Sequence, residues 1–210
     1  MMGPYIHYWR EGSGSLVVEV ALALCGGAVE RIRVDTRSGE NRREDFLALN
    51  PAGTIPVLVL PNGEAISETA AILVLLDETH PQAGLLPQLG SVLRASALRW
   101  LMLMATTGYS AALRSYRPER FGGEANEAAR AAIVAAADAE SNKMFAILAS
   151  AATGPWLCGE AATIVDVYAA MLADWHAPAL EQPAIKTIYD GVQVHPALGP
   201  AWKRHESRTA

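Results

Sequence analysis

Two cysteines in 210 residues leave little room for thiol or metal chemistry. Cys25 and Cys158 are far apart and belong to no C-x-x-C pair or metal-ligand spacing, so no disulfide framework and no metal site is expected. A reducing cytoplasm fits that poverty best. Long apolar runs are missing too. The strongest, Leu16 to Cys25, is too short to cross a bilayer and carries Glu19, and no basic region leads into an apolar leader. The expectation is a soluble, unprocessed cytoplasmic protein with no membrane partner. Nor is there an excess of positive charge: the formal net charge is −5, and the densest arginines, Arg31, Arg33, Arg37, Arg42 and Arg43, lie among Glu30, Asp35, Glu40, Glu44 and Asp45. Nothing there neutralises a row of phosphates, which argues against a nucleic-acid partner.

What the chain does have is apolar material. Hydrophobic residues make up 51% and charged ones 19%, ample for a globular core. Tyr5 to Trp9 reads as a short strand, followed by a loop of Arg10-Glu11-Gly12-Ser13-Gly14-Ser15. Leu16 to Cys25 then forms a helix apolar on nearly every face, stopped at Gly26-Gly27. Alternation from Val29 to Val34 gives a second strand, Glu44 to Leu49 a short helix, Val57 to Leu60 and Ala65 to Ser67 a strand pair, and Glu68 to Thr79 a helix. This βαβαββα order predicts a thioredoxin-like first domain over residues 1–80. The Pro- and Gly-rich stretch that begins at His80-Pro81 marks a linker over 81–90. Residues 91–210 read as an all-helical bundle: Ser91 to Arg117, alanine-rich Glu124 to Ala152, a run opened by Thr163 and Asp166 with the residues of a capping box, and further helices from about Glu181 and after His195-Pro196.

Two features in the first domain describe a binding site for something peptide-sized. Pro56 opens an apolar strand and cannot donate to a ladder, so it belongs at the strand's first residue, where it accommodates a cis Ile55-Pro56 bond and leaves the Ile55 backbone available. Ser67, Glu68 and Thr69 stand at the start of an apolar helix, where unpaired N–H groups favour a carboxylate.

Asn50-Pro51-Ala52-Gly53-Thr54-Ile55-Pro56, followed by Ser67-Glu68-Thr69-Ala70-Ala71-Ile72, resembles the glutathione-binding half of the cytosolic glutathione transferases. The opening Tyr8-Trp9-Arg10-Glu11-Gly12-Ser13-Gly14-Ser15-Leu16 is similar to that of the bacterial beta-like class, except that Gly14 stands where that class carries its cysteine. Mixed-disulfide chemistry is therefore not expected. The resemblance implies glutathione as co-substrate, with the Ile55 backbone pairing strand-fashion with the cysteinyl part beside Pro56, and Glu68 and Thr69 holding the γ-glutamyl ammonium and carboxylate. A hydroxyl must then lower the pKa of the bound thiol. Ser13 ranks first for this, Ser15 second and Tyr8 third; a plain helix cap explains Ser15 equally, and a buried aromatic is the commoner fate of a strand tyrosine. The resemblance further implies a hydrophobic electrophile held by Met102, Tyr109, Leu113 and Tyr116, and a homodimer in which Thr106 reaches the neighbour's glutathione. The activity it implies is transfer; an isomerase, ether-cleaving lyase, disulfide reductase or non-catalytic module on the same scaffold are the alternatives.

Overall fold

The computed structural model describes residues 3–122 and 126–207. They divide into two compact units, residues 3–85 with 195–207 and residues 86–194.

The first unit is built on a four-stranded sheet of order β2-β1-β3-β4, from β1 (Tyr5–Trp9), β2 (Val29–Arg33), β3 (Val57–Val59) and β4 (Ala65–Ser67). β1 runs parallel to β2 and antiparallel to β3, which is antiparallel to β4. The β1–β2 crossover is α1 (Ser15–Cys25), whose first eight residues are all buried, Glu19 included. A short α2 (Glu44–Leu49) leads into β3, and α3 (Thr69–Thr79) follows β4. This is the thioredoxin-like arrangement expected from the pattern. Alternation along β1 sends His7 and Trp9 to one face and Tyr8 to the other. His7 meets Glu19 of α1, while Tyr8 lies edge-on to Phe46 of α2 with ring centroids 5.9 Å apart. The last helix, α10 (Gly199–Ser207), also belongs to this unit: it packs on α1, and His205 sits edge-on to Trp9 at 5.2 Å. The sheet unit thus draws on both ends of the chain, which a division at residues 91–210 does not anticipate.

A buried carboxylate in an apolar helix must be paired, and Glu19 is. Arg31 Nε donates to both its oxygens, at 2.8 and 3.0 Å, and His7 Nδ1 lies 3.5 Å away. Burial alone pushes the Glu19 carboxyl up, but His7 and Arg31 outweigh it and bring it from 4.5 down to about 2.

The second unit is helical. Residues 92–116 form one continuous run of α4 (Val92–Leu103), a π turn (Met104–Gly108) and α5 (Tyr109–Tyr116), where the sequence pattern gives a single regular helix. The Tyr109 N–H bonds back five residues to the Met104 carbonyl. A short α6 (Glu119–Gly122) precedes α7 (Glu127–Ala151), whose N-cap Asn126 accepts from the Ala129 N–H at 3.0 Å; the expected start at Glu124 lies outside the described residues. α8 (Ile164–Trp175) is buried over Ile164 to Ala173 and opens with the expected capping box: Asp166 accepts from the Thr163 N–H at 2.8 Å and from the Thr163 hydroxyl at 2.9 Å. A further helix, α9 (Pro183–Val194), packs on α8. Among the described residues no helix is long and apolar enough to cross a membrane.

Candidate functional site

The loop from Arg10 to Ser15 folds on its own hydroxyls. Ser13 Oγ lies 2.8 Å from the Arg10 carbonyl and 2.9 Å from Ser15 Oγ, and it accepts from the Ser15 N–H at 3.3 Å. The Arg10 N–H in turn donates to Ser15 Oγ at 3.4 Å. Each serine has one proton to give. The carbonyl can only accept, so Ser13 is the donor to Arg10, and its hydroxyl is also within hydrogen-bond distance of Ser15 Oγ. Ser15 has no exposed surface at all. Ser13 also does the work of the missing cap on α1, whose N-cap residue is the side-chain-free Gly14.

Gly14 is where the two halves of the site meet. A Cβ built there would lie 2.2 Å from Thr69 Oγ1 and 3.2 Å from Thr69 Cβ, so the first residue of α3 occupies the space that a side chain at position 14 would need. Neighbouring Glu68 is the one non-glycine residue with positive φ among those described, at φ 68° and ψ 111°. It stands at the N-cap of α3, yet its side chain caps nothing and is exposed. Helix capping therefore does not explain Glu68, whose exposed charge sits on a strained stretch of backbone.

The Ile55-Pro56 bond is cis, and Val57 begins β3 immediately after it. The preceding turn is tied down by Asn50, whose side-chain N–H groups reach the Thr54 carbonyl at 2.8 Å and the Thr54 hydroxyl at 3.1 Å, and by Asn41, which donates to the Gly53 carbonyl at 2.6 Å. No hydrogen bond among the described residues uses the Ile55 backbone. Ile55 and Tyr8 both rest on the cluster Val34, Phe46 and Val57. Tyr8 also floors an open hollow rimmed by Arg33, Glu40, Arg43 and Asp45, on the α2 side of the sheet.

Both cysteines hold their protons more tightly than a free thiol. Burial, with Asp77 nearby, pushes the Cys25 thiol up to about 11, and burial with Asp166 nearby does the same to Cys158. Cys25 is also the last residue of α1, at the far end from Ser15. Among the described residues no cluster of three or more His, Cys, Asp or Glu is placed to hold a metal.

In the second unit, Met102 and Tyr116 are 43% and 67% exposed, whereas Tyr109 and Leu113 are half-buried. Tyr109 stands edge-on to Trp175 at 5.5 Å. The Thr106 hydroxyl donates to the Met102 carbonyl at 2.8 Å inside the π turn. That turn holds more residues than an α turn, so Tyr109, Leu113 and Tyr116 are rotated about the axis relative to Met102. Sequence reasoning missed the turn and the Trp175 support. It also missed the Glu19 cluster, although a lone acid in a buried helix facing an arginine-bearing strand was a usable signal.

Comparison with known proteins bears on this geometry. The model of the glutathione S-transferase N-terminal domain matches residues 15–79, from the first residue of α1 to the last of α3. The Escherichia coli protein YncG, described as an uncharacterized GST-like protein, is 30% identical over 207 residues, covering 95% of this chain and 97% of its own. The chain belongs to the glutathione S-transferase family. A sphingomonad glutathione S-transferase solved in complex with glutathione matches this family member with a TM-score of 0.78 at 27% identity, over 96% of this chain and 98% of that one. The Rhizobium meliloti maleylacetoacetate isomerase is 42% identical over 80 residues, only 38% of this chain and 37% of its own. The family match takes in Ser15, Ile55, Pro56, Glu68 and Thr69, while Tyr8, Ser13, Thr106 and Tyr109 lie outside it.

Proposed function

We propose that this transferase-family chain is a glutathione-dependent enzyme that activates the thiol of glutathione for attack on an electrophilic carbon of a hydrophobic small molecule. The observation that carries the proposal is Glu68, exposed and held at positive φ, together with an Ile55 backbone that no hydrogen bond among the described residues uses. Glu68 holds the γ-glutamyl ammonium, Thr69 the carboxylate at the start of α3, and Ile55 beside cis-Pro56 the cysteinyl backbone. The sulfur is the ligand's own, because both cysteines of the chain have thiols of raised pKa. In the reaction the thiol proton leaves to water, the thiolate forms a C–S bond, and the leaving group departs with the bonding pair. Positioning and a hydrogen-bond donor to the thiolate supply the catalysis. Met102, Tyr109, Leu113 and Tyr116 offer the apolar surface for the electrophile. The exposed Leu89, Val92, Leu93 and Met102 support a homodimer, in which Thr106 meets the neighbour's glutathione. The setting is the cytoplasm.

A second reading, isomerisation, draws on the likeness to the Rhizobium isomerase. There the thiolate adds to a double bond, the carbon–carbon bond rotates, and the thiolate leaves again. Retention on immobilised glutathione followed by turnover separates the cases. Transfer consumes glutathione with a generic electrophile, isomerisation returns it unchanged, and a binding module retains the ligand and turns nothing over. Failure of the protein to be retained would sink the glutathione reading itself.

A further inference from the structure

The loop that carries Ser13 and Ser15 is gripped at Arg10. The Arg10 carbonyl accepts from Ser13 Oγ at 2.8 Å, its N–H donates to Ser15 Oγ at 3.4 Å, and its guanidinium donates to the Thr36 hydroxyl at 2.7 Å. The helix that the loop leads into has little of its own to fix it, because α1 starts on Gly14 with no side-chain cap and no acid in its first turn. Packing has to hold this corner instead. Trp9, the residue before Arg10, is 6% exposed; its carbonyl accepts from the Val34 N–H at 2.8 Å, and its ring stands edge-on to His205 with centroids 5.2 Å apart. His205 comes from the far end of the chain. Along α10, Ala201, Trp202 and His205 are buried while Lys203 and Arg204 are exposed, so one face of this helix closes on the sheet-bearing unit, against α1 and Trp9 together. The reaction described above uses none of these side chains.

On these grounds, and resting on the glutathione reading above, we propose that His205 is a positioning residue: seated on Trp9, it fixes Arg10 and so sets where the Ser13–Ser15 loop stands when it offers a donor to the sulfur of bound glutathione. His205 itself touches no substrate. A hydrogen bond weakens steeply as its angle departs from linear, so a small shift of Arg10, passed on through its bonds to Ser13 and Ser15, is enough to weaken a donor to the thiolate. The anchors stand on other elements, Ile55 just before β3 and Glu68 and Thr69 at the start of α3. Loss of the His205–Trp9 contact therefore acts on the sulfur end of the ligand and spares the rest. The C-terminal helix serves the site at a distance, by holding the first turn of the chain's first helix in register.

The test separates positioning from general support with two ligands: glutathione, and S-methylglutathione, which has no ionisable thiol. His205→Leu fills the space without the edge-on ring, and His205→Phe restores a ring. We expect His205→Leu to raise the pKa of bound glutathione by about half a unit in a thiolate-absorbance titration, leaving about threefold less thiolate below that pKa. S-methylglutathione should bind it as it binds the wild type, and His205→Phe should titrate as the wild type does. Hydrogen exchange of the unmutated protein adds an arm that needs no variant: the Arg10 and Ser15 amides should open together with those of α10. An unmoved pKa in His205→Leu, equal loss of both ligands, a His205→Phe protein that titrates like His205→Leu, or α10 amides that open while Arg10 and Ser15 stay protected would each overturn the assignment. A wild-type protein that binds neither ligand would instead remove the glutathione reading on which it stands.

Discussion

Single residues carry charges and strain here that their local sequence does not explain. Glu68 is the strained one, and its backbone conformation costs on the order of 1–3 kcal/mol that glycine avoids. Glu68→Gly should therefore unfold in urea at higher concentration, a gain of about 1 kcal/mol after the extra freedom glycine has when unfolded, and bind glutathione more weakly. Lower stability with unchanged binding would deny both the strain and the contact. Glu19 is the buried charge. Its folded pKa is depressed to about 2 from 4.5, so its pairing with Arg31 and His7 stabilises the fold fully above about 4.5 and is lost as pH falls toward 2. Glu19→Gln should cost on the order of 3 kcal/mol at neutral pH by leaving Arg31 without its counter-charge, and denaturant midpoints should show the difference from wild type shrinking between pH 4.5 and 2. A difference that grows as pH falls would contradict the pairing. At this scale the sequence was half legible. Glu68 and Thr69 stand out at a helix start, but nothing local says that Thr69, far along the chain, fills the space beside Gly14, because that proximity is made only when α1 and α3 pack together.

Elements were more legible, since period-2 and helical patterns report which faces meet a core, and each strand and helix of the sheet-bearing unit up to Thr79 falls where its pattern puts it. The π turn at Met104–Gly108 was not. Its residues are compatible with ordinary helix, and one extra residue in a turn leaves no mark in composition. What holds it is packing: a Cβ on Gly108 would lie 2.5 Å from Met144 Sδ of α7 and 2.7 Å from Leu172 Cδ1 of α8. Gly108→Ala should therefore destabilise the helical unit by about 1–3 kcal/mol through overpacking, in spite of the better helix propensity of alanine. A variant as stable as wild type in thermal unfolding would show that Met144 and Leu172 yield freely. Likewise the pattern at Gly199–Ser207 announces a helix, but not that its Trp202 and His205 are buried in the sheet-bearing unit, because periodicity says which face is apolar and not which partner will cover it.

At the scale of the whole molecule the fold and family are settled by the chain's length-wide likeness to other members, and the reaction is where inference carries the weight. If the apolar side chains exposed along α4 form the proposed pairing surface, light scattering should find a dimer, and dilution that separates it should lower glutathione affinity if Thr106 completes the neighbour's site. A monomer binding at full strength would remove Thr106 from the site. All of these readings depend on one claim, that Ile55, Glu68 and Thr69 form a glutathione site. Titration calorimetry of the wild type and of the Glu68→Ala, Thr69→Ala double variant tests it most directly. The account predicts one glutathione per wild-type chain, and affinity in the double variant weakened by about 1.5–3 kcal/mol for each charge-assisted hydrogen bond removed, with its circular dichroism unchanged. Glutathione bound equally tightly by both proteins, or by neither, would contradict it.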